Sequence, residues 1–161
     1  MRFVLIDKLL RVERGRTARA TKSLSLAEEY LADHFPSFPV LPGVLMVEAM
    51  VQTSAWLVRV TQDFSHSVIV LSEVKNVSYG NFVVPGDKME VTCEAINIEA
   101  AGSSFKTQCL VDGQSTAKAR ITLEHYNLAD RYPGWQEQDR QLIEHFRAQF
   151  KLLSGPEALT A

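Results

Sequence analysis

One stretch constrains this chain more than any other. Val40 to Val60 is apolar almost throughout and long enough to attract a membrane assignment, yet it carries Pro42, Gly43, Glu48, Gln52 and Arg59. A lone helix in lipid would lose several kcal/mol to those groups. The expectation is a helix with no membrane span, buried in protein and apolar nearly all round, which the rest of the chain must cover.

The flanking sequence supplies the cover as strands. Thr17 to Leu26 reads as a first strand after a turn at Gly15, with a basic face from Arg19 and Lys22. A second runs from Val68 towards Tyr79. After Pro85-Gly86-Asp87, Met89, Val91, Cys93 and Ala95 alternate; after a turn at Gly102-Ser103-Ser104, so do Phe105, Thr107, Cys109 and Val111. Asp112-Gly113 is a strong hairpin signal, and Ala117, Ala119, Ile121 and Leu123 alternate beyond it. A long antiparallel meander beside one buried helix is an α+β arrangement, most economically a sheet curled around the helix.

At 161 residues the chain fits one core domain, and 46% hydrophobic with 22% charged residues is ordinary globular composition. A net charge of -2 argues against nucleic acid as a partner, because phosphate contacts need a basic excess. Cys93 and Cys109 are too few for a disulfide framework or a structural zinc site, and read as small packed hydrophobes. The first charges follow too few apolar residues for a signal-peptide core, so a cytoplasmic compartment is expected.

The tail differs in character. Residues 125–161 read as an extension to a domain at 1–124: Asn127 to Gly134 is loop-like, and Ile143, Phe146, Phe150 and Leu153 form a helical stripe between Gln136 and Leu153. A docked amphipathic helix is the expectation, with a partner-binding helix as the alternative.

Chemistry concentrates between Asp33 and Gln52. Prolines 36, 39 and 42 stiffen the approach to the helix, so His34 to Leu41 should be an extended, rigid loop holding a histidine with little freedom. Gly43 opens the helix, where amides without acceptors meet the positive end of the dipole and suit a carbonyl oxygen that gains charge. Glu48 lies among Leu45, Met46, Val47, Ala49, Met50 and Val51, surroundings that favour a neutral carboxyl, and Gln52 follows one turn later on the same face. A histidine, an acid and free amides together suit removal of a proton α to a thioester with departure of a β-hydroxyl. Each has a plainer reading: His34 as a loop residue, Gly43 as a helix start, Glu48 as a paired structural acid.

This segment resembles the active-site region of the β-hydroxyacyl-(acyl carrier protein) dehydratases of type II fatty acid synthesis. Their pattern, His-Phe-Pro-Gly-x-Pro-x-x-Pro-Gly-Val-Leu and then Glu-Ala-Met-x-Gln, is met at His34, Phe35, Pro36, Pro39, Pro42, Gly43, Val44, Leu45, Glu48, Ala49, Met50 and Gln52. Similarity extends to Leu5-Ile6-Asp7-Lys8, Val84-Pro85-Gly86-Asp87 and Val111-Asp112-Gly113, covering about residues 3–124. The resemblance implies a hot-dog fold, a curved antiparallel sheet wrapped around one helix and paired as a homodimer. It implies dehydration of 3-hydroxyacyl thioesters with His34 as base and Glu48, from the partner subunit, acting on the departing hydroxyl. The Gly43 amide would hold the thioester oxygen and Gln52 would orient Glu48. Acyl carrier protein would be the partner, with no metal or organic cofactor. Glu48 rather than Asp resembles the branch that only dehydrates.

The chain departs from the pattern at Ser37, in place of Gly, where a positive φ would carry a steric cost; bulky Phe38 beside it is expected to narrow the tunnel entrance. A hot-dog acyl-thioesterase and a non-catalytic acyl or carrier-protein binding module are the alternatives. Arg11, Arg14, Arg16, Arg19 and Lys22 read as a solvated strand face, or as a surface for an acidic carrier. His66, His125 and His145 show no metal-ligand spacing.

Overall fold

The computed structural model describes residues 3–155 and 158–160. β1 (Lys8–Glu13) and β2 (Thr17–Ser23) form a hairpin; a 3₁₀ turn (Glu29–Ala32) and the Pro-rich loop lead into α1 (Gly43–Thr61). The meander follows as β3 (Val68–Tyr79), β4 (Lys88–Ile98), β5 (Gly102–Val111) and β6 (Gln114–Tyr126). α2 (Leu128–Arg131), α3 (Gln136–Leu153) and the two-residue β7 (Leu159–Thr160) complete the chain. Strand order is β3-β6-β5-β4-β2-β1-β7, antiparallel throughout except that β7 lies parallel to β1.

The alternating residues of the meander face α1. Met89, Val91, Phe105, Cys109, Ile121 and Leu123 are buried with Met50, Leu57 and Val58 of the helix in one core, so the sheet curls around α1 as a hot-dog fold. Both cysteines are buried in it as small hydrophobes, and burial pushes the Cys93 thiol up to about 11 and that of Cys109 to about 12. By length and hydropathy α1 alone among the described helices could cross a membrane, but 67% of its apolar window is buried inside the protein. Asp112 and Gly113, at φ of +50° and +77°, make the β5–β6 turn that matches strand twist.

Several local expectations need correction. The first strand is β1, and β2 ends at Ser23 rather than Leu26. Arg19 and Lys22 do not share a face: three residues apart in a strand, they point oppositely, and Lys22 is buried beside Glu28 and Asp7. Gly102 to Ser104 already belong to β5, the turn lying at 99–101, where the Glu99 amide donates to the Gly102 carbonyl. The Asn127–Gly134 stretch contains α2, closed by reciprocal Asn127 and Asp130 capping.

The tail is fastened at three points. Phe146 and Phe150 each lie with ring centroids 6.0 Å from Trp56 of α1. Asp139, buried, accepts hydrogen bonds from the Ser67 hydroxyl and the Leu128 and Ala129 amides. Ser154 then bridges to Leu9, and β7 pairs with Val12 and Glu13.

Candidate active site

The His34 loop is a tight turn, not the extended segment expected. Phe35 and Phe38 exchange backbone hydrogen bonds at 3.2 and 3.0 Å, with Pro36 and Ser37 at the corner. Ser37 lies outside the left-handed region, so its side chain costs nothing there. Phe38 packs edge-on against Phe82 at 5.7 Å.

The turn fixes one tautomer of His34. Its Nδ1 lies 3.0 Å from the Val40 carbonyl, which can only accept, so Nδ1 carries a hydrogen and in the neutral ring the lone pair is on Nε2. The Val40 amide returns a bond to the His34 carbonyl at 3.0 Å, and Phe35 stacks on the imidazole at 4.4 Å. Leu41 donates to the Val83 carbonyl at 2.8 Å, docking the loop beside the start of α1.

His34 and Gly43 line one cavity of about 420 Å³, with Met46, Tyr79 and Phe82 among its walls. The first amides accepted within α1 are those of Leu45 and Met46, both bonded to Pro42; those of Gly43 and Val44 have no acceptor among the described residues. Tyr79 lies over this end: a Cβ on Gly43 would come within 2.7 Å of its ring. Sequence reading missed Tyr79, which is placed by a bulge between Lys75 and Ser78, where Asn76 takes φ of +54°.

Glu48 and Gln52 form a second group. Gln52 Nε2 donates to Glu48 Oε1 and to the Phe3 carbonyl, both at 2.9 Å, and Gln52 Oε1 accepts from the Leu5 amide at 3.0 Å. That bond to Leu5 sets the amide's orientation, so Glu48 faces donors and its Oε2 is free. Glu48 is half-buried rather than enclosed, opening onto a groove of about 390 Å³ between α1, α3 and β3. Within one chain, then, His34 with Gly43 and Glu48 with Gln52 line different cavities. Among the described residues no three His, Cys, Asp or Glu side chains are grouped to hold a metal.

Residues 1–120 match the family model for the FabA-like domain. The chain is 31% identical over 119 residues to the 3-hydroxyacyl-[acyl-carrier-protein] dehydratase FabZ of Caldicellulosiruptor bescii, covering 74% of this chain and 85% of that protein. It is 34% identical over 124 residues to the FabZ of Albidiferax ferrireducens, covering 74% and 82%. Among solved structures, the dehydratase heterocomplex ApeI:P from Xenorhabdus doucetiae superposes with a TM-score of 0.68 at 16% identity, over 80% of this chain and 87% of that one. The turn, the helix and the sheet thus sit in a chain that belongs to the FabA-like family.

Proposed function

We propose that this protein removes water from 3-hydroxyacyl thioesters of acyl carrier protein, giving trans-2-enoyl thioesters in fatty acid or related lipid synthesis. The observation that carries this reading is the His34 tautomer: a base nitrogen left free on the cavity that Gly43 shares. The thioester oxygen takes the Gly43 amide, where the α1 dipole favours the negative charge that develops as the α-proton leaves. His34 Nε2 receives that proton. Glu48, whose Oε1 accepts from Gln52, acts through Oε2 as the acid that protonates the departing β-hydroxyl. The Cβ–O bond breaks, water departs and the Cα–Cβ double bond forms. His34 ends with one proton more and Glu48 with one fewer, and exchange with solvent resets both.

A homodimer completes this site. That His34 and Glu48 line separate cavities supports the reading in which the histidine of one protomer works with the glutamate of the other. β3 supports the pairing: it ends the sheet with an open edge and exposes Val70, Leu71 and Val77. The residues assigned here need no metal or organic cofactor. The acyl carrier protein comes from the names of the relatives, and a cytoplasmic enzyme is part of the same proposal.

Incubation with a 3-hydroxyacyl thioester of acyl carrier protein, and separately with its trans-2-enoyl product, tests the proposal. Interconversion in both directions, seen by enoyl absorbance, is expected. Release of free thiol would make the protein a thioesterase; binding without turnover would make it a carrier module.

A further inference from the structure

We infer that Arg59 is a specificity residue that ends the acyl groove with a fixed positive charge, so that the preferred acyl chain carries a carboxylate at its far end. The inference rests on the dehydratase reading for the other end of the groove, at Glu48.

Arg59 is 7% exposed and lies in the last turn of α1. Its guanidinium lies against two aromatic rings set nearly at right angles to each other, 3.8 Å from the centroid of Phe146 and 5.1 Å from that of Trp56. Rings satisfy only the faces of a guanidinium; its five N–H donors point outward in the plane. Its Nε is buried without a hydrogen-bond partner, and no carboxylate among the described residues forms an ion pair with it. Burial pushes its pKa down to about 10, so it remains charged near neutral pH. A buried charge without a counter-ion is costly, and a structural arginine ordinarily finds one.

The groove shows where a counter-ion would come from. Glu48, Gln52, Ala55 and Arg59 follow one another at intervals of four, three and four residues along one face of α1, and all four line it. Eleven residues of helix separate Glu48 from Arg59, a rise of about 16 Å. An extended chain advances about 1.2 Å per bond, so roughly 13 bonds counted from the β-carbon at Glu48, an acyl chain of ~14 to 16 carbons, bring its terminus to Arg59. Apolar Val51, Ala55, Ile69 and Phe146 wall the path, and Gln149 adds an amide at the charged end. A methyl terminus would strip water from the cation and return nothing. A carboxylate would meet it with the planar, two-point geometry that guanidinium favours.

The test compares two series of trans-2-enoyl pantetheine thioesters of about 8 to 18 carbons, one ending in methyl and one in carboxylate, as substrates for hydration by the full-length protein. The wild type is expected to favour the carboxylate series by ~10-fold or more in kcat/KM, mainly through KM, with an optimum at ~14 to 16 carbons set by the helix rise. Arg59→Met, which keeps length and aromatic contact, should bring the ratio of the two series to about one, and Arg59→Lys should retain part of it. An equal rate for both series in the wild type, or a preference that survives Arg59→Met, overturns the inference and leaves the dehydratase reading standing. If neither series is hydrated, that reading fails, and calorimetry with the saturated tetradecanoyl and 13-carboxytridecanoyl pantetheine thioesters still decides the role of Arg59. Tighter binding of the carboxylate form by the wild type upholds it, and equal binding overturns it. Both wild-type comparisons hold whether or not the variants fold.

Discussion

Gln52 binds Glu48 with one of its amide hydrogens and the N-terminal segment with the rest of its side chain: 2.9 Å to Glu48 Oε1, 2.9 Å to the Phe3 carbonyl, and 3.0 Å from the Leu5 amide to its oxygen. Gln52 is therefore a positioning residue. Gln52→Met should lower kcat by ~10 to 100-fold with a smaller change in KM, since it frees the Glu48 carboxyl from its fixed orientation. It should also cost ~1–3 kcal/mol in denaturant titration, because the Leu5 amide loses its acceptor. A purely structural role would show the stability loss with kcat intact.

Removing the proposed base should lower activity by ~10²–10⁴ without unfolding the chain. His34→Ala and Glu48→Ala homodimers are both expected to be inactive. Co-expressed equally, half the dimers are mixed, each with one wild-type site and one doubly defective site, restoring roughly a quarter of wild-type activity. Verified heterodimers without activity would contradict the shared site.

Gly43 is required by a neighbour and not by a turn. Gly43→Ala drives a methyl into the Tyr79 ring and should destabilise by ~1–3 kcal/mol while displacing the amide end of α1. Tyr79→Ala added to it should recover much of the lost thermal midpoint, and a double variant no more stable than the single one would place the strain elsewhere.

His125 makes stability sensitive to acid. It is buried, with Nε2 2.7 Å from the Ser103 hydroxyl, and burial, then the charge of nearby His66, lower its pKa to about 4. The unfolded chain takes up this proton near pH 6.5 and the folded chain only near 4, so stability is full above 6.5 and declines as pH falls between those values. The loss should reach on the order of 3 kcal/mol by pH 4. His125→Gln should flatten that part of the pH–stability profile in denaturant titrations at pH 7, 5.5 and 4.5.

Truncation after Glu124 removes Phe146 and Phe150 from Trp56 and wets that face of α1. The shortened protein should show a lower thermal midpoint and a tendency to aggregate. Because Phe146 and Gln149 wall the groove at Glu48, unchanged stability with lost turnover would assign α3 to substrate binding rather than to packing.

What could be read from the sequence follows from range. α1, the meander and α3 declare themselves through apolar spacing, which is local, and the His34–Gln52 run carries its chemistry in consecutive residues. β1 escaped because a bulge between Leu9 and Arg11 breaks its alternation, leaving Leu9 and Val12 three apart on the buried side. Tyr79 over Gly43, Leu5 on Gln52 and Phe146 on Arg59 join positions far apart in the chain, and no residue pattern announces them. The Pro-rich loop misled for a different reason: proline restricts its neighbours, but the Phe35–Phe38 backbone pair is free to close a turn.

The tail decides how the sheet can grow. Ser154 against Leu9 and β7 against Val12 and Glu13 shield the outer side of β1, while β3 at the opposite end offers its hydrogen-bonding groups uncovered. A sheet with one shielded rim and one bare rim can extend once: two copies meeting bare rim to bare rim leave only shielded rims outward. On the proposed pairing, assembly through strands would stop at two copies, and the dozen-residue open strand would not go on to the polymerisation that it otherwise invites.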